Sequence, residues 1–149
     1  MERTLAIIKP DAMEKRVAGH IIQAILDAGL ELVAARLLHV SPQQAEGFYG
    51  VHRAKPFFAS LTRFMSSGPC LVMVLQGEGA IGRWRELMGP TDSKKAPAHT
   101  VRGRFGTNIE ANAVHGSDSH ESAAFEIGYF YSTLEIGLTP GGSPVLSGV

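Results

Sequence analysis

Short apolar runs bounded by turn-forming residues predict four β-strands in this chain. Residues 4–8 are mostly apolar and are followed by Lys-Pro-Asp, which favours a turn at the end of the strand. Residues 31–40 are rich in Leu and Val, and residues 70–75 are apolar almost throughout, which is typical of a buried central strand. A fourth, short strand is expected around Val114, just before a polar segment.

Apolar positions three and four residues apart predict helices between these strands. Ser41 and Pro42 supply an N-cap and a first-turn proline for one helix. Asp118 or Ser119 is expected to cap the last one. The predicted helices cover approximately residues 20–26, 42–49, 56–66, 80–88 and 119–129.

Residues 89–113 show little hydrophobic periodicity and predict a long loop, which in a compact domain is usually functional. The predicted order of elements is β-α-β-α-α-β-α-loop-β-α. This order favours an α+β fold, a ferredoxin-like split βαβ sandwich with a four-stranded antiparallel sheet, helices and a long active-site loop. Residues 137–149, with four Gly and two Pro, are expected to form a C-terminal tail after a domain that spans residues 1–136.

The composition is that of an ordinary globular protein. Of its 149 residues, 44% are hydrophobic and 19% are charged, and 14 Lys and Arg balance 14 Asp and Glu for a net charge of zero. A chain without net charge is a poor general ligand for nucleic acid, so no nucleic acid is required as a partner, although a local basic patch is left open. Cys70 is the only cysteine, which excludes an internal disulfide and a multi-cysteine zinc site.

No stretch of the sequence predicts membrane insertion or secretion. The longest apolar runs fall far short of the roughly 20 residues that span a bilayer. The N-terminal segment has neither the long apolar core nor the small-residue cleavage site of a signal peptide. We therefore expect a cytoplasmic protein with no membrane partner.

Three common site motifs are absent or incomplete. The sequence has no G-x-x-x-x-G-K-[ST] stretch, which excludes a P-loop NTPase. Gly77, Gly79 and Gly82 match the spacing G-x-G-x-x-G, but the acidic residue expected about 20 positions further on is missing, which disfavours a dinucleotide site. The histidines show neither H-x-x-x-H nor H-E-x-x-H spacing, which disfavours a protein-ligated zinc site.

Four residues with phosphate-binding chemistry lie near the predicted loop or the end of the first strand. Lys9 follows that strand, and Arg85, Thr91 and Arg102 flank or occupy the loop. Guanidinium and hydroxyl groups suit polyphosphate oxygens, because charge-assisted hydrogen bonds are strong and can be bidentate. Together the four residues indicate an anion site, although a solvated turn or a surface salt bridge explains each of them taken singly.

His115 stands between an apolar approach and a Gly-Ser-Asp-Ser segment, which makes it a candidate nucleophile or base. A neutral imidazole is a good nucleophile near pH 7, because the ordinary pKa of histidine lies close by. Gly116 is expected to leave room for a bulky electrophile, and Ser117 to donate a hydrogen bond. Glu126 is expected to accept one from the ring and fix its tautomer. The alternative is a structural histidine satisfied within the fold.

At these residues the chain resembles the nucleoside diphosphate kinase family. The matching segments are TLAIIKPDA at 4–12, KPFF at 55–58, SGP at 67–69, MGPTD at 88–92, TVR at 100–102 and NAVHGSDS at 112–119. They follow the family's order and spacing across residues 2–135. The resemblance implies a kinase domain over residues 1–136 that passes the γ-phosphate of a nucleoside triphosphate to a nucleoside diphosphate, with broad base specificity.

The resemblance also implies the catalytic groups and the cofactor. His115 would attack the γ-phosphate and hold it as phosphohistidine, so that the two nucleotides bind in turn by a ping-pong mechanism. Glu126 would orient His115, and Ser117 would support that pair. Mg²⁺ would be held through the nucleotide phosphates, with no metal ligand from the protein.

Seven residues are implied as nucleotide ligands, and they are Lys9, Tyr49, Phe57, Arg85, Thr91, Arg102 and Asn112. Phe57 would stack on the base without reading its edge. Lys9 and Asn112 would contact the ribose, and Lys9 would also contact the transferred phosphate with the help of Tyr49. Arg85 and Thr91 would hold the β-phosphate, and Arg102 the γ-phosphate.

Members of this family assemble as tetramers or hexamers, so a homo-oligomer is expected. Two other functions remain open. One is a non-catalytic interaction protein on the same fold, which the presence of all the implied phosphate ligands disfavours. The other is a phosphorelay protein that passes phosphate from His115 to a protein side chain. Phe57 and Asn112 favour a nucleotide rather than a protein side chain as the acceptor.

Overall fold

The computed structural model of the protein describes residues 1–137. Apart from Gly137, the predicted tail therefore lies outside the described residues. The described chain contains the four expected strands, which are β1 (Glu2–Ile8), β2 (Glu31–Leu38), β3 (Cys70–Gly77) and β4 (Val114–Gly116).

The four strands form one antiparallel sheet in the order β2-β3-β1-β4. β1 pairs with β3 along its full length. β4 pairs with the second half of β1 and places His115 opposite Ile7. Because β3 lies between β1 and β2, whose connection is helical, the sheet has the split βαβ arrangement, which confirms the predicted ferredoxin-like fold.

Helices connect the strands and cover the sheet. Within residues 1–137 they are α1 (Pro10–Glu14), α2 (Ala18–Asp27), α3 (Pro42–Phe48), α4 (Phe58–Met65), α5 (Ala80–Met88), α6 (Val101–Phe105), α7 (His120–Phe130) and α8 (Thr133–Ile136). Five of them, α2 to α5 and α7, correspond to predicted helices. Ser41 begins α3 with a capping box that involves Gln44, and Ser119 caps α7 by accepting the N–H of Ser122.

Three short helices differ from the sequence prediction. The expected turn after β1 is the start of α1, because Pro10 occupies the first helical position, where a missing N–H leaves no hydrogen bond unmade. Within the loop predicted at residues 89–113, the prediction of irregular structure is wrong for Val101–Phe105, which forms α6. Thr100 caps this helix by accepting the N–H of Gly103 at 3.0 Å. α6 and the similarly short α8 contain too few turns to produce a periodic pattern.

Alternate side chains of β1 point to opposite faces of the sheet, and each face has its own hydrophobic core. Ala6 and Ile8 pack on the side of α2 and α5, where Trp84 is fully buried. Leu5 and Ile7 pack on the side of α3, α4 and α7. β1 is therefore covered on both faces and paired on both edges, which makes it a rigid base for the residues that follow it.

Candidate active site

The end of β1 and the start of β4 bring distant parts of the chain together. Val114 lies opposite Ile8 in the sheet. One position further, the N–H of Lys9 donates to the carbonyl of Ala113 at 2.8 Å. Lys9 and Asn112, which are 103 positions apart in the sequence, are thereby placed side by side.

His115, Glu126 and Ser117 form a chain of hydrogen bonds. Nε2 of His115 lies 2.6 Å from Oε1 of Glu126 on α7, and the hydroxyl of Ser117 donates to the same oxygen at 3.1 Å. The side chains of His115 and Glu126 are 19% and 13% exposed, so the pair is largely shielded from water. Ser117 is fully buried and also accepts the N–H of Leu5 at 3.2 Å. The structure therefore brings together the three residues expected to be catalytic.

Other contacts hold the backbone and the ring of His115. The indole Nε1 of Trp84 donates to the carbonyl of His115 at 3.1 Å. The rings of Phe48 and Tyr49 approach the imidazole edge-on, with centroids 5.4 and 6.1 Å away. Within residues 1–137 no hydrogen bond is made to Nδ1 of His115, so Nδ1 is the ring nitrogen left for a reactant.

The hydroxyl of Tyr49 is buried and has no hydrogen-bond partner among the described residues. Burial, followed by the negative charge of Glu126, raises the pKa of Tyr49 well above its ordinary value, so the phenol stays protonated. A buried O–H without an acceptor costs free energy, which a ligand oxygen would offset. This unpaired donor agrees with the expectation that Tyr49 helps to position a phosphate.

Lys9 is a buried cation. The residue is only 6% exposed, and its Nζ donates to Oδ1 of Asn112 at 2.8 Å. Burial, together with the positive charge of Arg102, lowers the pKa of Lys9 to about 8, while Asp11 and Glu110 oppose the shift. Lys9 therefore changes its charge in the mildly alkaline range, where a surface lysine would stay fully protonated.

Asn112 connects Lys9 to the segment that contains Thr91. Its Nδ2 donates to the carbonyls of Thr91 and Ile109 at 2.9 and 3.2 Å. Both amide hydrogens are therefore used inside the protein, and Oδ1 already accepts from Lys9. The second lone pair of Oδ1 is what remains for a ligand hydroxyl.

Arg85 and Arg102 place two guanidinium groups near each other. Burial, and then the charge of Arg85, lowers the pKa of Arg102 to about 10. Arg102 donates to the carbonyls of Gly89 and Val114 at 2.8 and 3.0 Å, and its buried Nε has no partner among residues 1–137. Arg85 is exposed and donates to the carbonyl of Asp118 at 3.4 Å. Two positive charges held near each other favour an anion between them.

A cleft of about 740 Å³ lies beside these groups. Its lining includes Arg85, Thr91 and Arg102, the three residues expected to hold the β- and γ-phosphates, together with His99. Arg102 bonds to the residue before His115, and Arg85 to a carbonyl three positions after it. The two arginines of the cleft are therefore bonded to the segment that contains His115, one on each side of the histidine.

Phe57 lies just before α4, apart from the other predicted residues. The residue is 47% exposed, and the centroid of its ring lies 5.4 Å from that of the His52 ring. An exposed aromatic ring is what base stacking requires. Within residues 1–137 no hydrogen bond or ring contact joins the side chain of Phe57 to the cleft. The neighbouring Phe58 packs against the core.

Gly116 has a different role from the one predicted. A Cβ at this position would lie 2.6 Å from Cδ1 of Trp84 and 2.6 Å from Cε of Met88. The glycine therefore allows β4 to pack closely against α5 in the protein interior. The interpretation that it leaves room for a bulky electrophile is wrong.

Two residues outside the predicted set hold the site together. Trp84 donates to the carbonyl of His115, and Oδ2 of Asp11 accepts the N–H of Ala113 at 3.0 Å. The Lys-Pro-Asp segment that follows β1 is a sequence signal for Asp11, although its pattern predicts only a turn. No local pattern distinguishes Trp84 from any other core aromatic residue, because Trp84 lies on α5 and its partner lies in β4.

The chemistry of the site lies in cationic and polar side chains. Among residues 1–137, no group of three or more His, Cys, Asp or Glu side chains is arranged to hold a metal ion.

No helix in this part of the chain is both long and apolar enough to cross a membrane. Cys70 is buried and free, and burial raises its pKa to about 11, which keeps the thiol protonated.

Known proteins match both the sequence and this arrangement. The family model for nucleoside diphosphate kinase matches residues 2–136. Similar curated proteins include the nucleoside diphosphate kinases of Desulfovibrio desulfuricans and Anaeromyxobacter dehalogenans. They are 56% and 54% identical over 136 residues, which are 91% of this chain and 98% and 92% of those proteins.

Solved structures share the fold. The nucleoside diphosphate kinase of Aquifex aeolicus matches with a TM-score of 0.89 and 48% identity, covering 91% of this chain and 98% of its own. The enzyme of Halobacterium salinarum, in complex with CDP, matches with a TM-score of 0.87 and 34% identity, covering 91% of this chain and 90% of its own. These matches span the whole segment from Lys9 to Glu126, so the chain belongs to the nucleoside diphosphate kinase family and is an enzyme that transfers phosphate between nucleotides.

Proposed function

We propose that the protein transfers the γ-phosphate of a nucleoside triphosphate to a nucleoside diphosphate through a phosphohistidine at His115. The observation that supports this most directly is the arrangement of the imidazole. Nε2 is engaged by Glu126 at 2.6 Å, and Nδ1 has no protein partner within residues 1–137. A carboxylate on Nε2 favours the tautomer in which Nδ1 holds the lone pair, so Nδ1 is the nucleophile in this proposal.

Two half-reactions follow from this assignment. In the first, the Nδ1 lone pair forms a bond to the γ-phosphorus, the bond to the bridging oxygen breaks, and the nucleoside diphosphate leaves with that electron pair. The imidazole gains positive charge, which Glu126 and the Nε2–H stabilise. In the second, a β-phosphate oxygen of an acceptor diphosphate attacks the phosphorus, and the electrons of the P–N bond return to Nδ1. One site thus serves both nucleotides in turn, which defines a ping-pong mechanism.

The cations around His115 match the charge that moves during transfer. Arg85 and Thr91 bind the β-phosphate in this proposal, while Arg102 and Lys9 bind the γ-phosphate. This assignment is supported by the cleft that three of them share. A bound anion would also reduce the repulsion between the two guanidinium groups, which after burial is the second cause of the lowered pKa of Arg102. Phosphoryl transfer depends mainly on such positioning and charge stabilisation.

The donor set of the site fits Mg²⁺ as an ion held through the nucleotide phosphates. Lys9, Arg85 and Arg102 are cationic and do not ligate a metal, whereas phosphate oxygens are the ligands that Mg²⁺ prefers in such sites. When bound, Mg²⁺ neutralises charge on the phosphate oxygens. The side chains of this protein then orient the phosphates toward Nδ1.

Broad base specificity is supported by the exposed ring of Phe57. Stacking uses the π-face that every base has and reads none of its edge donors and acceptors. Oδ1 of Asn112 and Nζ of Lys9 would contact the ribose in the same pose. The complex of the similar Halobacterium salinarum enzyme with CDP supports a site that also accepts a pyrimidine nucleotide.

A homo-oligomer, tetramer or hexamer, and a cytoplasmic location complete the proposal. β2 is an edge strand, and Leu32 and Leu37 on it are 37% and 60% exposed. An apolar edge strand is better covered than left open to water, which supports assembly with further copies of the chain. The free thiol of Cys70 is consistent with a reducing compartment.

A two-step phosphate chase tests the proposed reaction. The protein is incubated with γ-labelled ATP and Mg²⁺, free nucleotide is removed, and unlabelled GDP is added. We expect an acid-labile label on the protein that passes to GDP, and no label on His115→Ala. His120→Ala is the matched control, because its side chain is 85% exposed and pairs with Glu2, outside the proposed site, so it should complete both steps.

The same chase distinguishes the other two functions. A label that stays on the protein with GDP but passes to a protein acceptor would indicate a phosphorelay. A protein that takes up no label would be a non-catalytic member of the fold. Either result would contradict the proposed transfer between nucleotides. Removal of Mg²⁺ with EDTA is expected to prevent labelling in the first step.

A further inference from the structure

Asp11 lies where β1 turns into α1, in the first turn of that helix. Its Oδ2 accepts the N–H of Ala113 at 3.0 Å. Its Oδ1 is buried and has no hydrogen-bond partner among residues 1–137. Asp11 is therefore a carboxylate engaged inside the protein that the proposed mechanism does not use.

Ala113 has a backbone conformation that L-amino acids disfavour. Its φ is +73°, in the left-handed region, where a Cβ crowds the backbone. Hydrogen bonds hold it on both sides, since its N–H donates to Asp11 and its carbonyl accepts the N–H of Lys9 at 2.8 Å. Such strain persists where the surroundings over-determine the conformation, and here both partners come from the segment where β1 passes into α1.

The residues around Ala113 are those that the mechanism requires. Asn112 precedes it and accepts from Nζ of Lys9 at 2.8 Å. His115 follows two positions later. A change in the dihedral angles of Ala113 would turn the segment on one side of it relative to the other, and with it the positions of Asn112 and His115.

We propose that Asp11 is a positioning residue for phosphoryl transfer and acts through the peptide of Ala113. The inference rests on the proposed function, because Lys9 and His115 are the groups that it sets relative to each other. In addition, the negative charge of Asp11 stabilises the buried ammonium of Lys9.

The electrostatic part of this role follows from what surrounds Lys9. Burial and Arg102 lower its pKa, while Asp11 and Glu110 raise it. The neutral neighbours of the ammonium are Asn112, which accepts its hydrogen bond, and the ring of Phe64, whose centroid lies 5.9 Å away. Removing the charge of Asp11 therefore shifts the protonation of Lys9 to lower pH.

Two variants separate the hydrogen bond from the charge. Asp11→Asn keeps an oxygen that can accept the N–H of Ala113 but lacks the charge, whereas Asp11→Ala lacks both. The measurement is the second-order rate constant for phosphorylation of the full-length protein by ATP across the neutral and alkaline range, together with the maximal single-turnover rate. We expect the alkaline limb of Asp11→Asn to move to lower pH. We expect the maximal rate of Asp11→Ala to fall about 10- to 100-fold, because small displacements of reacting groups slow transfer strongly.

Two control variants match the loss of one negative charge. Glu14→Gln changes an exposed residue of the same helix and should leave the rate and the alkaline limb unchanged. Glu110→Gln removes the other carboxylate that acts on Lys9, so it should move the alkaline limb but leave the maximal rate close to that of the unaltered protein.

The outcomes distinguish this inference from the proposed function. If the unaltered protein forms phosphohistidine and both Asp11 variants match its rate and its pH profile, the inference is overturned and the proposed function stands. If the unaltered protein forms no phosphohistidine, the proposed function fails, and the inference with it. If Asp11→Ala does not fold, Asp11→Asn decides, and an unmoved alkaline limb overturns the inference.

Discussion

Nε2 of His115 and Oε1 of Glu126 lie 2.6 Å apart, one on an edge strand and the other on the second turn of a helix. Ser117 donates to the same carboxylate oxygen, so Glu126 accepts two hydrogen bonds that fix its orientation. The imidazole is thereby oriented before a nucleotide binds. Such preorganisation removes part of the barrier to transfer, because less freedom is lost in the transition state.

Glu126→Gln is expected to slow phosphorylation of His115 by about 100-fold, as the loss of one electrostatic stabiliser of a transition state typically does. An amide can still contact Nε2 but does not neutralise the imidazolium that forms. Single-turnover kinetics with ATP measure this rate, and nucleotide affinity should change little. Equal rates in the two proteins would remove Glu126 from the mechanism.

Phe57→Ala is expected to weaken binding of all nucleoside diphosphates alike, by about 1–3 kcal/mol, which is the usual contribution of base–aromatic stacking. Titration calorimetry with ADP, GDP, CDP and UDP measures the effect. Phe125→Ala is the matched control, because Phe125 is a similarly exposed ring on α7, at 52% exposure, that is not expected to stack. A loss confined to one base would argue against stacking as the role of Phe57.

The rate constant for phosphorylation by ATP is expected to decline as the pH rises through about 8, where the buried Lys9 loses its proton. Lys9→Arg should shift this decline to higher pH, since guanidinium stays protonated. The pH profile of the free enzyme, measured at saturating Mg²⁺, tests this assignment. An identical alkaline limb in Lys9→Arg would show that another group causes the decline.

The loss of the proton from Lys9, which should lower the rate of phosphorylation, should raise the stability of the folded protein. The pKa of Lys9 is about 8 in the folded protein and has its higher, ordinary value in the unfolded chain, so the unfolded chain binds more protons between these two values. The penalty for burying the ammonium is therefore complete below pH 8 and disappears as the pH rises above it. Urea unfolding of the unaltered protein and of Lys9→Met measures this effect. As the pH rises, the free energy of unfolding of the unaltered protein should increase relative to that of Lys9→Met.

A chain that ends at Gly137 is expected to retain phosphate transfer, because every proposed site residue lies between Lys9 and Glu126. The phosphate chase with the shortened and full-length proteins measures this directly. Loss of transfer in a shortened protein that still unfolds cooperatively would show that residues 138–149 contribute to the site.

Leu37→Glu is expected to weaken assembly, because it puts a charge on the exposed edge strand β2. Sedimentation equilibrium of the two proteins at matched concentrations measures the change. Val51→Glu is the control, since Val51 is 83% exposed in the segment between α3 and α4 and is not part of β2. An oligomer unaffected by Leu37→Glu would place the interface elsewhere.

The sequence by itself determined the elements with a strong pattern. Apolar runs bounded by turn-forming residues predicted the four strands, and apolar spacing together with capping residues predicted α2 to α5 and α7, because those elements bury one face or both. The short helices α1 and α6 were not predicted, since five residues make little more than one turn and produce no periodic pattern. The segment around His115, and the resemblance that it supports, likewise led from the sequence to the family.

Only the tertiary structure decided how the site is held. That Nδ1 of His115 has no hydrogen-bond partner in the described part of the chain follows from the contact of Nε2 with Glu126 on another element. The lowered pKa of Lys9 follows from burial and from Arg102, far away in the sequence. Gly116 turned out to face Trp84, and no local pattern could show that. Pattern reports which residues are buried, whereas hydrogen bonds and charges depend on which distant segments the sheet places next to each other.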